Sequence, residues 1–413
     1  MRSWDTRDAE LAKASFSSLL RSVPDRCKTD ASMTLENRDV QTVALVAGTR
    51  PNFMKVAPIW RALQGRGVRA RLIHTGQHFD SAMSDVFFRD LGMPQPDVRL
   101  NCGGGTHAEQ TAAVLMGIEK TLTESRPSVL VVVGDVTSTM AATLAACKLG
   151  IPIAHVEAGL RSRDWTMPEE INRVVTDQLA DLLLTPSRDA ESNLVGEGIP
   201  VARIRFVGNV MIDSLHWARE RQTDAVDRFG LKRRQYALAT LHRPANVDSR
   251  DSLEATIAAL EAVASKLITV FPVHPRTIAK AKALGMEERL RSVSGLMTCE
   301  PIGYNDFVTL MSNARVVATD SGGIQEETTA LGIPCLTLRE GTERPITVDE
   351  GTNVIVGLSV SRIASELGAI LEGKGKRGRI PDGWDGRTGE RIVDALRAFM
   401  DGSPPPRTAG PRA

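Results

Sequence analysis

The segment 128-SVLVVVGD-135 contains five consecutive apolar residues, followed by a glycine and an aspartate. Continuous apolarity, rather than alternation, is typical of a β-strand that is buried on both faces of a parallel sheet. Similar runs are 42-TVALVAG-48, 70-ARLIHTG-76, 151-IPIAHVEAG-159 and 181-DLLLTPS-187. Segments with helical periodicity separate these runs, so the sequence predicts a doubly wound α/β domain.

The same pattern restarts after 204-IRFVGNVMIDS-214. The later runs are 236-YALATLH-242, 267-LITVFPVHP-275, 315-RVVATDSGG-323, 334-PCLTLRE-340 and 352-TNVIVG-357. A chain of 413 residues is long enough for two such domains. We therefore predict two Rossmann-like domains, 40–205 and 206–385, that face each other across a cleft, and a C-terminal helix at 386–402. Residues 1–39 and the Pro- and Gly-rich tail 403–413 are expected to be disordered.

The composition excludes several classes of protein. Lys and Arg number 51 and Asp and Glu number 50, so there is no electrostatic case for nucleic acid or an anionic membrane as the main partner. No apolar run approaches the roughly 20 residues of a membrane span, so membrane insertion is not expected. Five scattered cysteines without a CxxC pair argue against a disulfide framework and a zinc site. A cytoplasmic location is the expectation.

The segment 320-DSGGIQEE-327 is the clearest sign of a ligand, because it lies between a predicted strand and a predicted helix. Ser321, Gly322 and Gly323 would present backbone N–H groups at a helix N-terminus, which favours a phosphate. Glu327 lies one turn later, where its carboxylate could accept both hydroxyls of a ribose. Arg344, in 341-GTERP-345, would add a cation. The alternative is a glycine-rich turn that only caps a helix.

A second polar segment, 48-GTRPNFMKVAP-58, also follows a strand and opens a helix. Arg50 and Lys55 lie in its first turns, where cations oppose the helix dipole unless an anion lies between them. The alternative is structural, since proline is common at a helix start. The segment is neither a Walker A loop nor a GxGxxG fingerprint.

Carboxylates follow two neighbouring strands of the first predicted sheet. Asp135 could be an ordinary helix cap. Glu157 follows the buried run IPIA, where a carboxylate requires a hydrogen-bond or ion-pair partner or a functional role. Glu169 and Arg173 are four residues apart at the start of the next helix and could form a helical ion pair. If these carboxylates converge on one cleft, they raise one another's pKa and can serve as general acids and bases.

Six of the seven histidines lie in these polar clusters: His74, His78, His107, His155, His242 and His274. No HxH or HxxxH grouping occurs, so we expect phosphate contacts or proton transfer rather than metal binding. His242 and His274 follow adjacent strands of the second domain, where they would face the expected nucleotide.

The sequence motifs along residues 41–400 resemble, in order, those of the UDP-N-acetylglucosamine 2-epimerases, in particular the non-hydrolysing bacterial type. These motifs are GTRPNFMKVAP, TGQHFD, GDVTST, HVEAGLRS, MPEEINR, LHRPANVD, PVHPR, DSGGIQEE and GTERP. The resemblance implies the glycosyltransferase-B fold, a homodimer, and no NAD or metal cofactor. It also implies reversible C2 inversion of UDP-GlcNAc to UDP-ManNAc, by anti elimination of UDP to a 2-acetamidoglucal and re-addition from the other face.

The resemblance also assigns roles to residues. Catalytic roles fall on Asp135, Glu157, Glu169 and His242. Substrate-binding roles fall on Arg50, Lys55, Gln77, His78, Arg173, His274, Ser321, Gly322, Gly323, Glu327 and Arg344. No residue is assigned to a metal.

Two motifs depart from the family pattern. The run after QH reads TGQHFDSAMSD, and the frequent HRREN reads HRPAN. Activation by substrate at a second site and the exact UDP-sugar therefore stay open. The remaining alternatives are a hydrolysing epimerase that releases ManNAc and UDP, a glycosyltransferase on the same fold, and a non-catalytic binder of sugar nucleotides.

Overall fold

The computed structural model describes residues 41–76, 88 and 91–402. The two terminal segments expected to be disordered lie outside the described residues, as do Gln77 and His78. The described residues form two parallel β-sheets with helices on both faces of each. The predicted α/β fold class with two Rossmann-like sheets is therefore confirmed.

The first sheet has seven strands among the described residues, in the order β3-β2-β1-β4-β5-β6-β7. Its strands are β1 Thr42–Ala47, β2 Arg69–His74, β3 Val98–Arg99, β4 Val129–Val133, β5 Ile153–Val156, β6 Leu182–Thr185 and β7 Ile204–Phe206. Its described helices are α1 Arg50–Gly65, α2 His107–Glu124, α3 Thr137–Lys148, α4 Pro168–Leu179 and α5 Arg188–Gly196, with a 3₁₀ turn at Val201–Arg203. The strand order changes direction between β1 and β4, where doubly wound sheets open a crevice.

The second sheet has six described strands in the order β10-β9-β8-β11-β12-β13. Helices α6 Val210–Arg219 and α7 Ala225–Arg228 precede it. Its strands are β8 Tyr236–Thr240, β9 Ile268–Pro272, β10 Leu296–Cys299, β11 Val316–Thr319, β12 Cys335–Thr337 and β13 Asn353–Ile355. The remaining helices are α8 Pro244–Val247, α9 Arg250–Ala264, α10 Pro275–Ala283, α11 Glu287–Arg291, α12 Tyr304–Asn313, α13 Gly322–Leu331, α14 Pro345–Asp349, α15 Val360–Leu371 and α16 Thr388–Asp401.

Burial on both faces explains why the strands read as continuous apolar runs. In β4, Val131 belongs to the core on one face of the sheet, and Leu130 and Val132 belong to the core on the other. Successive side chains of a strand point to opposite faces, so a strand between two helical layers needs an apolar residue at every position.

Two strands lie at sheet edges and were not predicted. β3 has only two residues, and β10 alternates between the buried Leu296 and the exposed Met297. The run 204–214 contains the short strand β7 and then helix α6, whose N-cap Asn209 accepts a hydrogen bond from the Met211 N–H at 3.0 Å. Edge strands lack the double burial that makes a continuous apolar run, which explains the omissions.

The last helix returns to the first sheet. Ile392, Val393 and Leu396 of α16 share a core with Ile59 and Leu63 of α1. The Asp213 carboxylate on α6 accepts hydrogen bonds from the Thr388 N–H at 3.0 Å and the Gly389 N–H at 2.7 Å, so it caps the start of α16. Within the described residues, no helix has the length and apolar character needed to cross a membrane.

Candidate active site

A cavity of about 680 Å³ lies at the carboxyl ends of the strands of both sheets. The first half of the chain contributes charged side chains to its wall: Lys55, Asp135, Glu157, Glu169 and Arg173. The second half contributes His242, Arg243, Tyr304, Ser321, Gly322, Gly323, Glu326, Glu327, Glu343 and Arg344. The cavity therefore brings together most of the predicted site residues that the structure describes.

Glu157 lies directly after β5 with a backbone φ of 71°. A non-glycine residue in this left-handed region costs on the order of 1–3 kcal/mol and is found mainly at functional sites. Its Oε2 forms an ion pair with Lys55 Nζ, and its Oε1 lies 3.1 Å from Arg344 Nη2. All three side chains are buried. Both oxygens of this carboxylate are therefore already held by cations.

The Arg344–Glu157 ion pair joins the two halves of the cavity. Arg344 Nε lies 2.7 Å from Glu326 Oε1, so Lys55, Glu157, Arg344 and Glu326 form a row of alternating charges. Burial opposes the charge of Arg344, but the neighbouring carboxylates outweigh it and raise the pKa of Arg344. For Glu326 burial prevails over the attraction of Arg344 and raises its pKa. The arginine stays charged at the centre of the cavity.

Asp135 follows β4 by two residues and pairs with Arg173 of α4. Burial opposes ionisation of Asp135, but the cations Arg173, Lys55 and Arg344 outweigh it and hold the pKa of this carboxyl below its usual range. The Asn172 side-chain amide donates to the Asp135 carbonyl at 2.9 Å, which ties the strand end to α4. Asp135 is thus an ionised carboxylate in a fixed position.

Glu169 lines the cavity and is exposed, and no hydrogen bond or ion pair of its side chain occurs among the described residues. The alternative of an ion pair between Glu169 and Arg173 is therefore wrong. Arg173 pairs instead with Glu170, whose Oε2 lies 2.8 Å from Arg173 Nη1 and also accepts from the Ser162 N–H at 2.8 Å. Glu170 is buried on the inner face of α4, whereas Glu169 points its free carboxylate into the cavity.

The glycine-rich turn before α13 leaves a helix N-terminus open to the cavity. Ser321 is the N-cap, its side chain makes no capping hydrogen bond, and the first turn holds no acidic residue. A Cβ added at Gly323 would meet no atom within 4 Å, and one at Gly322 would meet only the Glu343 carboxylate at 3.9 Å. The Ser321 N–H donates to Thr319 Oγ1 at 3.0 Å, so the Gly322 and Gly323 N–H groups are the donors that an anion can reach.

Glu327 lies on the same helix and is buried. Its Oε1 accepts a hydrogen bond from the Tyr304 hydroxyl at 2.8 Å. Burial and the nearby Glu326 charge raise the pKa of Glu327 to about 7. The hydrogen bond from Tyr304 acts in the opposite direction but is outweighed. Burial also raises the pKa of Tyr304.

His242 is held at the cavity by Asp320, which is fully buried at the end of β11. The Asp320 carboxylate accepts from the His242 N–H at 3.0 Å and the Arg243 N–H at 2.8 Å, and lies 3.1 Å from His242 Nδ1. His274 is placed differently, because its Nδ1 accepts from the Arg276 N–H as the N-cap of α10 and it does not line the cavity. Its ring centroid lies 5.2 Å from that of His242.

The remaining predicted residues lie at other positions. Arg50 is the first residue of α1, while Gln77 and His78 lie outside the described residues. His155 is buried in β5, with Nδ1 2.7 Å from Asp177 Oδ1 and Nε2 2.8 Å from the Gly134 carbonyl, so it braces the strand ends. In the part of the chain that the structure describes, no three His, Cys, Asp or Glu side chains converge as a metal site would require.

Several cavity residues were not predicted: Tyr304, Arg243, Glu326 and Glu343. Three of them adjoin predicted residues in the motifs HRP, QEE and GTERP, so their neighbours were the available signal. Tyr304 lies on α12, far from every motif, and nothing local in the sequence marks it.

Comparisons with known proteins agree with this geometry. The family model described as UDP-N-acetylglucosamine 2-epimerase matches residues 61–397. The UDP-N-acetylglucosamine 2-epimerase of Methanocaldococcus jannaschii is 40% identical over 362 residues, which cover 86% of this chain and 98% of that protein. The UDP-2,3-diacetamido-2,3-dideoxy-D-glucuronate 2-epimerase of Pseudomonas aeruginosa is 39% identical over 343 residues, 81% of this chain and 94% of that protein.

Solved structures of UDP-GlcNAc 2-epimerases are also similar to this chain. The crystal structure of the M. jannaschii UDP-GlcNAc 2-epimerase in complex with UDP-GlcNAc and UDP has a TM-score of 0.79 and 39% identity, and the match covers 87% of this chain and all of that chain. The UDP-GlcNAc 2-epimerase from Neisseria meningitidis bound to UDP-GlcNAc has a TM-score of 0.78 and 30% identity, with 87% and 100% coverage. The chain therefore belongs to the UDP-N-acetylglucosamine 2-epimerase family.

Proposed function

We propose that this member of the UDP-N-acetylglucosamine 2-epimerase family inverts the configuration at C2 of a UDP-2-acetamido sugar, interconverting UDP-GlcNAc and UDP-ManNAc. One observation carries the proposal. A single cavity holds Asp135 and Glu169 opposite an open helix N-terminus and the charged Arg344. This arrangement pairs proton-transfer groups with a site for a departing diphosphate. Complexes of two relatives with UDP-GlcNAc support the choice of substrate.

In the proposed complex the N–H groups of Gly322 and Gly323 and the hydroxyl of Ser321 bind the diphosphate, and Arg344 adds a positive charge. Glu327 accepts the hydroxyls of the ribose. Glu157 does not transfer a proton in this scheme, because Lys55 and Arg344 occupy both of its oxygens. Its role is to hold these two cations where negative charge develops on UDP as the bond to C1 breaks.

The reaction proceeds by elimination and re-addition. A carboxylate takes the proton from C2 while the C1–O bond breaks, and UDP leaves with that electron pair to give a 2-acetamidoglucal. A proton then returns to the opposite face of C2, and a UDP oxygen re-forms the bond to C1. We assign the two proton-transfer positions to Asp135, which the neighbouring cations keep ionised, and to Glu169, whose carboxylate has no other partner among the described residues.

A time course of ¹H NMR spectra with UDP-GlcNAc in heavy water tests the proposal. Epimerisation yields UDP-ManNAc and replaces the C2 proton of both sugars with deuterium. Free ManNAc with UDP would instead identify a hydrolysing enzyme. An intact C2 proton after prolonged incubation would refute both schemes and would indicate a protein that binds the sugar nucleotide without converting it.

The Glu169→Gln variant tests the assignment of proton transfer. We expect exchange at C2 to fall by roughly 10²–10⁴-fold, because general acid–base groups contribute about that much. Affinity for UDP should stay within about twofold of the native protein. Asp164→Asn is the matched control, since Asp164 is exposed in the same segment and, among the described residues, its carboxylate bonds only to Thr166. Normal exchange in Glu169→Gln would contradict the assignment.

The substituents that the enzyme accepts on the sugar are tested by comparing two candidate UDP-sugars as substrates. Identity to the M. jannaschii and P. aeruginosa relatives is 40% and 39%, so it does not separate their two substrates. We propose UDP-GlcNAc as the preferred substrate. The ratio of kcat/KM for UDP-GlcNAc and for the 2,3-diacetamido glucuronate sugar nucleotide tests this choice, and a higher value for the latter would overturn it.

We also propose a cytoplasmic homodimer. The described cysteines Cys102, Cys147, Cys299 and Cys335 are all free thiols, which is typical of a reducing compartment. The dimer rests on the family resemblance. Light scattering should return twice the chain mass of 44.7 kDa, and a single chain mass at micromolar concentration would contradict it.

A further inference from the structure

A second cavity, of about 590 Å³, lies at the amino ends of strands in the second sheet. Arg234 and Arg315 in its wall lie just before β8 and β11, at the amino ends of the strands. The candidate active site lies at the carboxyl ends, so the two cavities are separate. Lys376 and Arg377 complete a set of four lining cations, and no acidic residue among those that the structure describes lines this cavity.

None of the four cations lies in an ion pair within the described residues, and the carboxylate that acts on them from nearby is Asp349, which favours the charged form of Lys376. Three of them are held by backbone carbonyls instead. Arg234 Nη1 donates to the Ala314 carbonyl at 3.0 Å, Arg315 Nη2 to the Ile370 carbonyl at 2.5 Å, and Lys376 Nζ to the Asn353 carbonyl at 3.1 Å. These hydrogen bonds fix the positions of the side chains without neutralising them.

Capping of helix C-termini is the structural alternative. Ala314 follows the last residue of α12, and Arg315 also donates to the Leu371 carbonyl at the end of α15. Each helix end carries about half a negative charge, so two ends offset only about one of four positive charges. Arg377 makes no such contact in the described part of the chain. Capping therefore explains the positions of two arginines but leaves most of the charge uncompensated.

The loop that carries Lys376 and Arg377 is tightly packed. A Cβ at Gly378 would lie 2.3 Å from the Gly351 carbonyl carbon, and one at Gly375 would lie 2.8 Å from Ile370 Cγ1. Only glycine permits such close approach of the backbone, so the loop is fixed against the wall of the cavity.

We propose that this second cavity binds a small phosphorylated anion, separately from the substrate. Four cations that line one cavity match the several oxygens and charges of a phosphate or diphosphate group. The volume is in the range of pockets that bind whole small molecules, so the phosphate can be part of a sugar phosphate or a nucleotide. Nucleic acid fits less well, because the cations surround one cavity and the chain has a net charge of only +1.

Calorimetric titration with inorganic pyrophosphate tests the proposal on the full chain. The native protein should show Arg377-dependent binding in addition to any binding in the active-site cavity. Arg377→Gln should weaken that site about tenfold, the effect expected for one lost charge-assisted hydrogen bond. Lys374→Gln is the matched control, because Lys374 lies in the same loop, pairs with Glu372 and does not line the cavity.

Binding that Arg377→Gln weakens and Lys374→Gln preserves supports the proposal, and so does the same pattern with UDP or a sugar phosphate as titrant. Identical isotherms for Arg377→Gln and the native protein, with all three ligands, would overturn it. Equal weakening by both variants, or a preference for duplex DNA over pyrophosphate, would also overturn it, since either indicates a diffuse basic surface. A melting temperature unchanged by Arg377→Gln confirms that folding is intact.

Discussion

Burial of Glu327 beside Tyr304 should make the stability of this protein depend on pH. Glu327 as a residue is 3% exposed, and the pKa of its carboxyl group in the folded chain is about 7 rather than the usual 4.5. Between these two values the folded protein retains a proton that the unfolded chain has released. The free energy of unfolding must therefore fall as the pH rises from about 4.5 to 7.

The size of the effect follows from the shift. Each unit of pKa corresponds to about 1.4 kcal/mol, so the contribution lost over this range is about 3 kcal/mol. Glutamine has the shape of a protonated glutamate and does not titrate. Glu327→Gln should therefore match the native protein near pH 4.5 and be more stable by about 3 kcal/mol at pH 8.

Urea unfolding at a series of pH values between 4.5 and 8 measures the difference, with Glu254→Gln as control because Glu254 is exposed on α9. Tyr304→Phe adds a second check. The Tyr304 hydrogen bond lowers the pKa of Glu327, so its loss should extend the falling region to higher pH. A constant difference between Glu327→Gln and the native protein across the range would refute the reasoning.

Three further substitutions test contacts around the cavity. Glu157→Gln leaves the buried Lys55 without its carboxylate and Arg344 with Glu326 as its remaining ion-pair partner among the described residues, and should destabilise the fold by about 3–5 kcal/mol, as measured by urea unfolding. Asp320→Asn removes the charged acceptor of the His242 and Arg243 N–H groups, so KM for the UDP-sugar should rise by roughly tenfold or more in steady-state assays. Asp213→Ala removes the cap of α16 and should cost about 1–2 kcal/mol in urea unfolding, with partial rescue by Asp213→Asn.

The fold could be predicted largely because its central strands are buried on both faces. Leu130, Val131 and Val132 all face apolar helices, so β4 is visible as an uninterrupted apolar run. The edge strands β3 and β10 are covered less completely, and no such run marks them. The residues after the central strands were also predictable, because parallel strands bring their carboxyl ends to one edge.

Contacts between distant segments could not be predicted in this way. The motif MPEEINR places Glu169 and Glu170 side by side in the sequence. The orientation of α4 against the sheet buries Glu170, whereas Glu169 lines the cavity, where it can contact a ligand. Tyr304 reaches Glu327 from a different helix, and Arg344 reaches Glu157 from the other sheet. These pairings depend on how the elements pack, which local patterns do not encode.

Three carboxylates line the first half of the cavity and a fourth, Glu170, lies beside Arg173. The four differ in how many of their oxygens are occupied, and this difference separates their proposed roles. Glu170 accepts from the Ser162 and Arg163 N–H groups and from Arg173, while Glu157 is held by Lys55 and Arg344. A carboxylate held in this way would have to give up a buried ion pair in order to accept a proton. Asp135 is paired through Oδ2 only, and Glu169 has no partner among the described residues. In the proposed scheme, proton transfer at C2 therefore disturbs the fewest existing interactions when Asp135 and Glu169 carry it, and the proposed role of Glu157 is to keep the cations in place for the departing UDP.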